Sequence, residues 1–164
     1  MRRYTQLTIL LSLSIVLSLV ESFIPFFSGI VPGLKIGLAN IIVLFVLYLY
    51  SPKDAFKLTL IRVFIVGLLR STGVSFLFSL FGATFSIVSM ILLKKTKLSI
   101  IGVSVFGSFM HSSAQILVAY FLLNNTSIFI YYPYLIIFSI VSGIAIGFIS
   151  KECVKNFKNK LQYI

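Results

Sequence analysis

Twenty residues from Val74 to Leu93 pass without a single charge, and so do the twenty-three from Ile128 to Ser150. A helix needs about 20 apolar residues to cross a bilayer. Lipid offers no hydrogen-bond partner, so such runs fold as helices that satisfy their own backbones. A mean hydropathy of +1.12 extends this reading to the whole chain. Its 164 residues make one domain and leave no room for a separate soluble catalytic unit.

The sequence predicts an all-α integral membrane protein, a bundle of six transmembrane helices. The first span runs from Tyr4 to Ile24 and is ended by Pro25. The second, Ile36 to Tyr50, is short for a full crossing. Ser51-Pro52-Lys53-Asp54 forms a turn into the third, which continues to Arg70, with Pro52 suited to a first helical position. Ser71-Thr72-Gly73 breaks the chain before the fourth span, Val74 to Leu93. A basic loop, Lys94 to Lys97, precedes the fifth, Ser99 to Leu123. A polar turn, Asn124 to Ser127, leads to the sixth, Ile128 to Ser150. Residues 1–150 form the membrane domain, and 151–164 form a basic cytoplasmic tail that frays.

The net charge of +11 would point to nucleic acid in a soluble protein. Here the cations sit between and beyond the apolar runs. With a cytoplasmic amino terminus, eleven of the fourteen Lys and Arg fall on the inner side. This is the topogenic asymmetry of a multi-pass cell-membrane protein with both termini inside. No small-x-small cleavage site follows the first run before Glu21, so it is expected to stay as an uncleaved helix. Cys153 is the only cysteine and His111 the only histidine, which excludes an intrachain disulfide and makes a metal site improbable.

Pro25 to Ile41 interrupts the apolar pattern. Pro25 and Pro32 each fix φ and remove a donor, while Gly29, Gly33 and Gly37 permit tight turns. Such backbone must lie at the interface, against protein or over a wet cavity. It is read either as an ordinary connecting loop or as a loop that shapes a site.

Counting about 1.5 Å per residue from each helix start places Glu21, Lys35, Asn40 and Arg70 in the outer third. His111 and Gln115 share a face at i, i+4 slightly outward of the middle, and Arg62 lies near the midplane. Glu21 and Arg70 match in depth and are expected to pair, with Glu21 orienting Arg70. Arg62 finds no acid at its own level, so a carbonyl, Asn40, water or a ligand must compensate it. Lys35, Arg62 and Arg70 against Glu21 would give an outward-open cavity a net positive lining suited to an anion. Ser14, Ser18 and Ser22 make a small-residue stripe where a membrane partner could dock, or where the helix packs within its own bundle.

The acids number only Glu21, Asp54 and Glu152. No paired aspartates for magnesium–diphosphate chemistry, no phosphate-binding loop and no nucleophile elbow are present. The chain is therefore expected to be no enzyme, to carry no cofactor and to draw energy for any active transport from a partner or an ion gradient. A proton-coupled carrier using Glu21 and His111 is a further reading.

Pro32-Gly33-Leu34-Lys35-Ile36-Gly37-Leu38-Ala39-Asn40-Ile41 is the most specific segment. With Ile61-Arg62-Val63, Ser79-Leu80-Phe81-Gly82-Ala83-Thr84-Phe85-Ser86, and Gly102-Val103-Ser104-Val105-Phe106-Gly107 through His111 and Gln115, it resembles a bacterial membrane family. That family is known as Gx transporter or heptaprenyl diphosphate synthase component I. The family's fifth-helix pattern His-Asn-x-Gly-Gln is here His111-Ser112-Ser113-Ala114-Gln115, so its Asn and Gly are replaced. The resemblance implies a six-helix protein similar to the substrate-binding (S) components of energy-coupling-factor (ECF) vitamin transporters. Those capture a ligand from outside and dock on a shared ATPase module with its coupling subunit. On this reading Lys35, Asn40, Arg62, Arg70, His111 and Gln115, with Glu21, bind an anionic or amphipathic vitamin-, isoprenoid- or cofactor-like molecule. The synthase label implies an alternative, a non-catalytic accessory subunit linked to heptaprenyl diphosphate or quinone biosynthesis.

Overall fold

Ser51 and Pro52 illustrate how local chemistry sets the helix boundaries. The Ser51 hydroxyl accepts from the Asp54 N–H at 3.1 Å and donates to the Asp54 carboxylate at 2.8 Å. Pro52, whose missing N–H costs nothing at a helix start, opens the helix itself. The computed structural model describes residues 2–23, 37–70 and 73–162. Within them lie α1 (Arg2–Phe23), α2 (Ala39–Leu49), α3 (Pro52–Arg70), α4 (Gly73–Lys94), α5 (Ile100–Leu123) and α6 (Tyr132–Gln162). Ser99 caps α5 by accepting from the Gly102 N–H at 3.2 Å, and Asn124 ends it in the left-handed region at φ 45°. A 3-10 turn, Thr126–Tyr131, then leads into α6.

Six helices match the expected count. Four stretches, Arg3–Phe23, Gly73–Lys94, Ile100–Leu123 and Thr126–Asn159, are long and apolar enough to cross a membrane, which suggests a membrane protein. The helices alternate in direction. Arg3, Tyr50, Asp54, Lys94 and the end of α6 therefore share one end of the bundle, here termed the base. Arg3 donates to Asp54 at 2.5 Å and Tyr50 donates to Gln6 at 3.0 Å, pinning α1 to the α2–α3 turn.

The core is built around α2. Val43, Leu44, Val46 and Leu47 pack with Leu58 of α3, Ile87 and Met90 of α4, Val103 of α5 and Ile146 of α6. An uninterrupted apolar run such as Ile41–Leu49 suits this central place, with Ile41, Phe45 and Tyr48 on its one half-buried face. α5 and α6 approach closely because Gly143 and Gly147 face it. A Cβ on either would lie 2.7 Å from an α5 Cα, that of Val105 or Ile101. α1 packs on α2 and α3, and leaves Ile9, Val16 and Phe23 exposed.

The last helix differs from expectation. It does not fray after Ser150 but continues to Gln162. Ser150 and Val154 are buried, and the Phe157 ring meets Phe45 of α2 edge-on with centroids 5.4 Å apart. Those three positions repeat at helical spacing, so the tail has an inward face, while Lys151, Lys155 and Lys158 lie exposed. The stretch Ile24 to Ile36, including the prolines expected to shape a loop, lies outside the described residues.

Candidate polar site at the start of a half-length helix

α2 has eleven residues, about 16 Å at 1.5 Å per residue, against about 33 Å for the twenty-two of α4. One end of α2 reaches the base. There the Lys94 ammonium donates to the Leu47 carbonyl at 2.5 Å and lies over the Tyr48 ring, 5.3 Å from its centroid. The other end stops within the bundle. An α-helix start carries unsatisfied N–H groups and the positive end of its dipole, and both need an acceptor when buried.

Glu21 supplies one. Its carboxylate, on a side chain 7% exposed, accepts from the Gly37 N–H immediately before α2. Gly37 is at φ +88°, a conformation that glycine adopts without strain, and this turn aims its N–H at α1. The Asn40 N–H returns to the Gly37 carbonyl at 2.8 Å and starts the helix. The Asn40 side chain in turn receives Arg62 of α3, Nη2 to Oδ1 at 3.5 Å. Arg62 is 6% exposed. Its Nη1 is buried and has no hydrogen-bond partner among the described residues.

Counted from the base, Asn40 lies seven residues, about 10 Å, before Leu47, and Arg62 eight residues, about 12 Å, after Asp54, so the two stand at nearly the same height. Among the groups expected to compensate Arg62, Asn40 is found against it. Lys35 lies outside the described residues. So does the Arg70 side chain, and with it the Glu21–Arg70 pairing; the Arg70 backbone ends α3.

His111 sits at the α4–α5 seam, whereas the Arg62 cluster is built by α1, α2 and α3. The His111 ring lies over Gly82, where a Cβ would come within 2.9 Å of it, and Gln115 is buried one turn further along. Ser14 is fully buried inside the bundle, Ser18 is half-buried and Ser22 is exposed with its hydroxyl on the Leu19 carbonyl at 2.6 Å. Ser14 thus faces this chain's own helices. A groove of about 300 Å³ between α4 and α5 is lined by Leu77, Phe81, Phe85, Leu117 and Phe121 among other apolar side chains, and offers nothing to a charged group. The buried polar cluster is therefore the candidate site.

Gly37 and Lys94 escaped the sequence reading. Gly37 looked like one loop glycine among several, and Lys94 like one topogenic cation among eleven.

A family model described as heptaprenyl diphosphate synthase component I matches residues 10–153, from α1 into α6. The chain belongs to this family. No curated protein and no solved structure matches it. The family's name makes its members one component of a synthase.

Proposed function

We propose that this chain is a multi-pass membrane subunit that binds a small anionic or amphipathic molecule at the Arg62 cluster, in the manner of a transporter S component. The observation that carries this is the Arg62 guanidinium. It is buried, its Nη1 has no partner among the described residues, and it stands beside the amino end of a half-length helix. A buried cation with an unused donor costs free energy unless a ligand completes it. Interrupted helices whose amino ends meet an anion near mid-membrane are a recurrent solution in membrane carriers.

With the base on the cytoplasmic side, eleven of the fourteen cations lie inside and both termini face the cytoplasm. The ligand then approaches from the outer side. Lys35, Arg70, His111 and Gln115 are proposed to extend the lining toward the rest of the molecule. The ECF-type ATPase and coupling subunit are the proposed partners. The family name favours a second reading, in which the same cluster holds a diphosphate headgroup for a non-catalytic membrane component of the synthase.

The experiment is gentle purification from the native membrane, with mass spectrometry of the associated proteins and small molecules. ATPase and coupling subunits with a stoichiometric anion establish the transporter reading. A soluble prenyl synthase without transporter subunits establishes the second. Retention of the same ligand by Arg62→Gln would remove the cluster from either.

A further inference from the structure

The site already contains an anion of its own. The Glu21 carboxylate accepts from the Gly37 N–H in the turn that starts α2, the turn whose Asn40 receives Arg62, so it occupies the place an acidic ligand would seek. Its burial, 7% exposed, means that water does little to screen it from a second negative charge. A second anion brought to the same turn is repelled strongly where the dielectric is low, so an incoming anion and the resident carboxylate compete. We propose that Glu21 is a built-in substitute for the ligand's anionic group, holding the α2 amino end until the ligand takes that place. This rests on the Arg62 cluster being the binding site.

The rest of the molecule is arranged to let Glu21 yield. α1 is anchored at the base by Arg3–Asp54 and Gln6–Tyr50, while towards its far end Val20 and Phe23 are exposed. Asn40 stays beside Arg62 whichever anion is present, because it belongs to α2, the helix at the centre of the core. Glu21 therefore sets selectivity. A ligand succeeds only if its charge or its additional contacts outweigh a carboxylate already in place, which disfavours weak monoanions.

Inorganic diphosphate is the probe, added to the full chain in detergent while its melting is followed by circular dichroism. Glu21→Gln keeps an oxygen for the Gly37 N–H and removes the charge. Its half-saturating diphosphate concentration is expected to fall about tenfold or more relative to the wild type, in the range of ordinary site-to-site coupling. Glu21→Asp, which keeps the negative charge but withdraws the carboxylate by one methylene, is expected to shift the same way by less. It serves if Glu21→Gln fails to fold. Arg62→Gln is expected to abolish the diphosphate effect in every background. Equal half-saturation in the wild type and both Glu21 variants, still lost with Arg62→Gln, would overturn the substitute role and leave the binding site standing. Weaker binding in the Glu21 variants would make Glu21 a mere support of the site. No diphosphate effect in any variant would overturn both readings.

Discussion

Gly37→Ala tests whether the start of α2 is set by backbone geometry or by packing. At φ +88° a residue with a Cβ costs about 1–2 kcal/mol over glycine. The new methyl would also lie 3.0 Å from Ile146 Cδ1 and 3.3 Å from Asn40 Nδ2. The Ile146 contact is with the far end of a flexible side chain, and displacing it costs about 0.5–1 kcal/mol. The expected loss is thus about 1.5–3 kcal/mol, with the larger part conformational. Ile146→Val separates the two parts. It removes the clashing methyl, at its own cost of about 0.5–1.5 kcal/mol for a buried isoleucine. The informative comparison is therefore Gly37→Ala measured in the Ile146→Val background. Denaturation in detergent followed by far-ultraviolet circular dichroism suits a chain without tryptophan. The Gly37→Ala loss should shrink by no more than about 1 kcal/mol in that background. Complete recovery would show that packing, not the positive φ, demands glycine. No loss in either background would refute the turn itself.

Gly143→Ala and Gly147→Ala each force α6 from α5, because a Cβ at 2.7 Å must retreat about 0.7 Å to reach ordinary contact. Each should cost about 1–3 kcal/mol in the same assay, and the double variant less than their sum, since one separation accommodates both. Lys94→Met removes the ammonium from the Leu47 carbonyl and should cost about 1–2 kcal/mol, with Lys94→Arg recovering part of it. Gly82→Ala drives the His111 ring from its place on α4, and its imidazole proton resonances should shift in NMR spectra even if diphosphate binding is unchanged.

The helices were legible because their signals are local. Uncharged runs gave α4 and α5, and the Ser51-Pro52-Lys53-Asp54 turn fixed the start of α3 to the residue. The far end of α6 was not legible, because its lysines hide an apolar register of Ser150, Val154 and Phe157 that is decided by contact with α2. In the site, Glu21, Asn40 and Arg62 stood out as polar residues in apolar surroundings. The contact of Arg62 with Asn40 was among the options their positions allowed, but the bond of Glu21 to the turn before α2 was not, since it depends on where α2 starts. Gly37 became informative only once its φ and its N–H acceptor were known.

Why α2 stops short follows from its two ends. A helix packed into the core cannot leave its terminal dipoles wholly to water, and each end is favoured by a charge of opposite sign. Lys94 meets the carboxyl end at the base, where its ammonium keeps partial access to solvent. Glu21, only 7% exposed, meets the amino end through its bond to the Gly37 N–H. The two ends are therefore unequal in replaceability. An ammonium on a carbonyl at the base gains little from any substitute, because water and the neighbouring cations already moderate it. A buried carboxylate on the Gly37 N–H can be replaced only by another anion, and such a replacement is favoured if it also fills the unused donor of Arg62. The shortness of α2 thus leaves one helix terminus and the three side chains around it, Glu21, Asn40 and Arg62, as the place where the proposed ligand and the resident carboxylate would meet.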